Sequence, residues 1–335
     1  MIQYLGLIQQ GLFFGFFLTL LLVIVSYYLN PFLHSKVESM NPAQQSNIFF
    51  FWSILPVLGP VFILLIALLP SLLEILGISS DHCLGHPEGH LHFCLIHLQA
   101  PVNSLFIWGP GIIYLATLLI MLSHLCVDFC EILRFKRKIN NFHPKRIDTD
   151  LFLLNTTTPL ALCCGIRKQQ IFLSTGLTDK LNKDEYKIVI KHERAHIKRK
   201  DALKKLLARS FSLTHLPSIR RKLLSSLILA NEQACDNASI LQHQDKTKAA
   251  ELLVKIEKLY QGHFFSQSAL SSGVMSKESS FLAERVHNLL DEKNSPVQVL
   301  PLILCVMTVI SLPLGHDLIH DSLEHVMSIV SIFIS

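Results

Sequence analysis

Charge is missing from four long stretches of this chain. No Asp, Glu, Lys or Arg occurs before Lys36, between Glu38 and Glu74, between Glu88 and Asp128, or between Lys293 and Asp317. Each stretch is apolar and can supply the roughly 20 helical residues that cross a bilayer core about 30 Å thick. An ordinary soluble domain is excluded, because half of the residues are hydrophobic and only 16% are charged. The chain is therefore expected to be a polytopic α-helical membrane protein with four spans, at 5–29, 49–76, 102–126 and 297–315. Pro56, Pro60 and Pro70 should kink or break the second span, and Gly109-Pro110-Gly111 should bend the third near its middle. In the first, Gly11 and Gly15 are spaced for close helix packing.

Orientation follows from the basic residues. Of the 30 Lys and Arg, only Lys36 lies outside the interval from Arg134 to Lys293. Basic residues stay on the cytoplasmic side of short loops, which places that interval inside and the loop at 77–101 outside. The expected layout is 1–130 with three spans, 131–296 as an inserted cytoplasmic domain, 297–315 as the fourth span, and 316–335 as a short outside tail. Such a chain is a multi-pass protein of the cell (inner, cytoplasmic) membrane, with the lipid bilayer as its first partner. No basic residue precedes the first apolar run, so it does not read as a cleavable signal peptide. Arg134, Lys136, Arg137 and Lys138 read as an anchor on anionic headgroups, and no direct nucleic-acid binding is expected.

Within 131–296 the pattern changes. Short apolar runs at 150–155, 159–164 and 170–174 predict strands, with Gly165 in a hairpin joining the last two. An edge strand there could hold an extended peptide by adding it to the sheet. Cys163 and Cys164, like Cys126 and Cys130, read as packing residues. The run 183–210 predicts one helix, since neither Gly nor Pro interrupts its apolar period. It carries His192-Glu193-Arg194-Ala195-His196. Two His four apart share a helix face and make half of a Zn²⁺ site, and Glu193 beside them can act as a general base. After a break at Leu216-Pro217-Ser218, a second helix is expected over 219–241. Glu232 and Asp236, also four apart, lie on one face of it. Glu232 is the candidate third metal ligand, and Asp236 the candidate acceptor of a ligand imidazole's N–H. His215 is the only cationic candidate for stabilising an oxyanion, and a lone His before a turn is more often structural. Downstream, a helix at 246–261, a Ser-rich loop at 265–280 and a helix near 281–290 complete the domain.

The segments VIKHERAHIKRKD at 189–201 and NEQACD at 231–236, with the strand–turn–strand at 159–175 and three spans ahead of the domain, resemble the BlaR/MecR-type membrane metallopeptidases. The resemblance implies a gluzincin-type α+β HExxH domain with zinc held by His192, His196 and Glu232, and Glu193 as general base. It also implies a signal-responsive endopeptidase that cuts itself or a cytoplasmic BlaI/MecI-like winged-helix repressor. The penicillin-binding sensor domain of some members has no counterpart in the roughly 20 residues after Gly315. Two alternative readings stand beside this one: an HtpX-type quality-control protease, and a metal-binding signal transducer that cuts nothing.

The loop at 77–101 is the second unusual stretch. His82, Cys83, His86, His90, His92, Cys94 and His97 lie there without a Lys or Arg among them. Imidazole and thiolate together suit a second metal ion, whereas outside the cytoplasm Cys83 and Cys94 can instead pair as a disulfide.

Overall fold

The computed structural model describes residues 2–78, 104–240, 246–261 and 281–290, plus positions 95, 101 and 325. The expected fourth span, the Ser-rich loop, the tail apart from position 325, and the seven His and Cys of the loop at 77–101 lie outside the described residues.

Three helices are long and apolar enough to cross a membrane: α1 (Ile2–Val37), α2 (Pro42–Ala67) and, after the short α3 (Leu69–Ile75), α4 (Leu105–Asn140). The expected break in the second span falls at Leu68, between α2 and α3, where Pro70 opens the new helix. Proline lacks an N–H and disfavours helical geometry just before it, so the helix restarts there. Pro56 and Pro60 stay inside α2. The Gly109-Pro110-Gly111 expectation needs correction. Pro110 lies in the second turn of α4 rather than near its middle, and Gly111 serves close packing, since a methyl there would sit 3.2 Å from Cβ of Leu12. Gly15 does the same from α1, where a methyl would run into the Tyr114 ring.

At 36 residues, α4 is about 54 Å long and overshoots a bilayer core by several turns. Its last turns become part of the domain that follows. Phe135 and Ile139 pack with Leu154, Leu162, Cys164 and Phe172 on one face of a four-stranded sheet. The strands are β1 (Lys145–Arg146), β2 (Leu151–Leu154), β3 (Ala161–Cys164) and β4 (Gln170–Ser174), in spatial order β1-β2-β4-β3. The three expected strands are present, β4 with the expected bounds and β2 and β3 each two residues shorter. β2 and β4 run parallel, and β3 returns antiparallel beside β4, which leaves β3 at an edge. Gly165 makes the hairpin possible: its φ is +108°, and a methyl there would come within 2.6 Å of the Lys168 carbonyl.

After the single turn α5 (Thr175–Thr178), the opposite face of the sheet is covered by α6 (Lys183–Arg199). Leu151, Ile171, Leu173 and Leu177 pack there against Ile188 and Val189, and against Leu252 further along the chain. Period-two alternation explains the two cores, since Ile171 and Leu173 face α6 while Phe172 faces α4. The expected single helix over 183–210 is two. The chain turns at Lys200, which takes left-handed φ 56° and ψ 38°, and continues as α7 (Asp201–Phe211). Next come a 3-10 turn (Ser212–Thr214), α8 (Pro217–Ser239), α9 (Lys246–Gln261) and α10 (Leu282–Leu290). Pro217 sits in the first turn of α8, where its missing N–H costs nothing.

The α1–α2 turn packs into this same domain. Val37 and Phe49 are buried with Ala208, Leu223, Leu227 and Ala230 of α7 and α8. The expected 30–48 loop and the domain after α4 therefore lie on one side of the spanning helices. His215 is buried in that junction, taking a hydrogen bond from the Ser26 hydroxyl at 3.3 Å and donating to the Trp52 carbonyl at 3.2 Å. Burial holds its pKa below the ordinary imidazole value. With both ring nitrogens engaged by membrane helices, His215 is a structural residue.

Candidate metal centre

The centre is built on α6, and the start of that helix is firmly fixed. Asn182 accepts from the N–H groups of Asp184 and Glu185, while Glu185 reaches back to the Asn182 N–H at 2.8 Å, a complete capping box. Lys255 of α9 holds the same Glu185 carboxylate at 2.7 Å and 2.9 Å. On the outer side, Arg194 donates to Asp148 at 2.6 Å and to Asp150 at 2.9 Å, tying the helix to the β1–β2 loop. About three and four turns beyond the cap, His192 and His196 lie with their Nε2 atoms 3.1 Å apart and their rings nearly perpendicular, at 78°.

α8 supplies the third donor. Residues 231 to 236 are all buried, so this turn of α8 is enclosed on every side. Glu232 lies with Oε2 3.5 Å from His192 Nε2 and Oε1 3.5 Å from His196 Nε2. His192, His196 and Glu232 thus offer three ligand atoms within 4.8 Å of one another. Glu193 is buried on α6, near enough to Cys163 of β3 for its charge to be felt there.

The outer nitrogens decide which face of each ring is free. His192 Nδ1 lies 3.0 Å from Asp236 Oδ1, and His196 Nδ1 lies 2.9 Å from Asp201 Oδ2. Each carboxylate accepts a hydrogen bond from Nδ1–H, which in the neutral ring leaves the lone pair on Nε2. Two such lone pairs facing each other beside a buried carboxylate repel unless a cation or protons sit among them. The donor set N, N, O suits Zn²⁺. A second grouping of His196, Asp201 and Cys235 also comes together. It would use His196 Nδ1, the nitrogen already engaged by Asp201, and burial pushes the Cys235 thiol up to about 11. The first grouping is the better cation site.

In the metal-free protein the charges settle accordingly. Burial would lower the pKa of both His, but Asp236 and Glu232 raise His192, and Glu232 and Asp201 raise His196 well above the usual value. Burial would raise Glu232, and the two imidazoles, His196 foremost, hold it well below the carboxylate range. Asp236 is likewise kept low against its burial by Arg285, which clamps it with bonds of 2.8 Å and 2.7 Å.

Asp236 thus sits where the sequence suggests, but Asp201, Arg285 and Lys205 were not singled out. Arg285 of α10 and Lys205 of α7 each lie 3.6 Å from a Glu232 oxygen. Asp201 left a weak trace, being the Asp that closes the 189–201 segment. Arg285 left none, because it arrives on a helix far along the chain.

The edge strand β3 runs beside α6. Ser174 N–H donates to the Leu160 carbonyl, so alternate positions face β4, and the main chain of Ala161 and Cys163 faces outward. The Tyr260 hydroxyl of α9 accepts the outward Ala161 N–H at 3.2 Å. The Cys163 side chain is close enough to Glu193 and His196 to feel their charge, while burial pushes its thiol up to about 12.

Residues 153–289 match the family model for the BlaR1 peptidase M56. No curated protein and no solved structure matches the chain. The matched interval runs from β2 to α10 and contains the HExxH helix, Glu232, Asp236 and Arg285. Over this interval, which is less than half of the chain, the protein is similar to the BlaR/MecR-type membrane metallopeptidases.

Proposed function

We propose that this protein is a zinc-dependent endopeptidase whose catalytic domain, of gluzincin type, faces the cytoplasm. The observation that carries the reading is the convergence of His192, His196 and Glu232, with each imidazole turned by its own carboxylate. These three residues would hold the ion. When bound, zinc supplies Lewis-acid polarisation of the scissile carbonyl and makes water more acidic. Glu193 takes a proton from the attacking water as its oxygen bonds to the carbonyl carbon. The same carboxylate then delivers that proton to the amide nitrogen as the C–N bond breaks. The substrate lies extended along the outer edge of β3, paired with the outward main chain of Cys163 and, once the Tyr260 hydroxyl is displaced, of Ala161.

The cytoplasmic assignment rests on the basic residues between Arg134 and Lys293. With it goes the fourth span at 297–315, which would anchor the domain at its far end. The substrate class follows from the family resemblance: a winged-helix repressor of the BlaI/MecI kind, or the chain itself. The test is Glu193→Gln in the full-length protein. Zinc content should stay at the parent level while cleavage of a repressor, or of the chain, falls by at least about 100-fold. Cleavage that persists in this variant would refute the peptidase reading, whereas loss of zinc would move Glu193 into the ligand set.

A further inference from the structure

We propose that Ser46, on membrane helix α2, is a positioning residue of the metal centre, acting through Asn231. The inference rests on the reading above that His192, His196 and Glu232 bind a metal ion.

The α2–α8 contact is mostly apolar. Phe49, Phe50 and Trp52 of α2 pack with Leu223, Leu224, Leu227 and Ala230 of α8. One short polar bond crosses this seam: the Ser46 hydroxyl donates to Asn231 Oδ1 at 2.6 Å, with both residues fully buried. A pair of apolar residues would fill the same space without a desolvation penalty, so a buried polar pair does more for register than for stability. Here the register is that of the ligand, since Asn231 immediately precedes Glu232 on α8. A rotation or slide of α8 that broke the Ser46 bond would carry Glu232 away from the two imidazoles.

The same Asn231 oxygen leads to the second ligand. Arg199 Nη2 donates to it at 3.3 Å, and Arg199 Nε donates to Asp201 Oδ2 at 3.3 Å. Asp201 Oδ2 is the atom that holds His196 Nδ1 at 2.9 Å. From one membrane-helix hydroxyl, contacts therefore reach both Glu232 and His196. Lys204 of α7 adds a tie to the same turn of α2, donating to Asn47 Oδ1 at 2.8 Å and lying 3.4 Å from Ser46 Oγ. The metal centre is thus built partly from the membrane region, and its affinity depends on where α2 stands relative to α8.

The test uses the full-length protein in detergent or nanodiscs, with Zn²⁺ affinity measured by competition against a chelator of known affinity. Ser46→Ala and Asn231→Ala should each weaken zinc binding about threefold to tenfold, the scale of one buried hydrogen bond. The double variant should be no weaker than Asn231→Ala alone, because both changes remove the same bond. Ser46→Thr keeps the hydroxyl and should bind like the parent. Ser53→Ala is the control, since the Ser53 hydroxyl bonds within its own helix, to the Phe49 carbonyl at 2.7 Å, and its affinity should not change. Should Asn231→Ala fail to fold, the Ser46→Ala and Ser46→Thr pair decides alone. Parental affinity in Ser46→Ala, or additive losses in the double variant, overturns the proposal while leaving the metal centre in place. A parent protein that takes up no zinc overturns the metal reading itself, and the proposal with it.

Discussion

The metal centre is a problem of proton placement at single residues. Asp236 and Asp201 each accept a hydrogen bond from the Nδ1–H of one imidazole, at 3.0 Å and 2.9 Å, and so turn both Nε2 atoms toward Glu232. Loss of such an orienting carboxylate typically costs 10–100-fold in metal affinity. Asp201→Ala and Asp236→Ala should each show a loss of about that size in a zinc competition assay, and Glu232→Ala should leave no stoichiometric zinc. Equal affinity in Asp201→Ala and the parent would mean that His196 is held by packing alone. The pH dependence has a definite sign. Both imidazoles are raised in the metal-free protein, so the stability gained from their protonated form is complete below the ordinary value of 6.5 and is lost as pH rises through the raised values. Zinc must displace those protons, so its affinity should climb with pH through the same window and level off above it. Titration from about pH 5.5 to about pH 8.5 checks this, and a flat profile would contradict it.

At the scale of elements, two turns and one edge shape the site. The left-handed Lys200 ends α6 and sends the chain back so that Asp201, the first residue of α7, meets His196. Gly165 turns β3 back onto β4 and so places the edge strand beside α6. Gly165→Ala should destabilise the domain by about 1–3 kcal/mol in denaturant unfolding, because an L residue is strained at that φ and its methyl meets the Lys168 carbonyl. On the edge itself, the Tyr260 hydroxyl occupies the Ala161 N–H that an extended substrate would use. Tyr260→Phe frees that donor, so KM for a peptide substrate should fall about twofold to tenfold with kcat unchanged. An unchanged KM would place the substrate elsewhere.

Among the described residues, the membrane helices pass into the domain through packed contacts. α4 runs from the spanning region into the core of the sheet, and Asp128 on it pairs with Arg209 of α7 at 3.2 Å. The α1–α2 turn and His215 close the other side of the junction. An ion held by His192, His196 and Glu232 would tie α6 to α8, and α8 packs on α2, so metal binding should stabilise the assembly as a unit. At a free zinc concentration about 100-fold above Kd, linkage adds about 2.7 kcal/mol. Chelator should lower the melting temperature of the detergent-solubilised protein in a single transition, followed by both domain and transmembrane helix signals. Two separate transitions, with only one responding to zinc, would show the halves to be independent.

The features legible in the amino-acid order are those that local geometry decides. A membrane helix needs only length and an absence of charge, and α1, α2 and α4 cover the three expected spans that fall among the described residues. His192 and His196 share a face because a helix repeats every 3.6 residues, and Glu232 and Asp236 do so for the same reason. β2 to β4 were readable from short apolar runs, and their hairpin from one glycine. The α6–α7 break was not readable, because Lys200 carries no helix-breaking mark; the turn costs a residue in left-handed geometry and is held by contacts formed around it. Arg285 reaches Asp236 from α10, and Ser46 reaches Asn231 from a membrane helix. No sequence period records such meetings, since they depend on how whole elements pack. The order of residues determined which side chains could bind a metal, and the packing of α2, α6, α7, α8 and α10 decided which way each of them points.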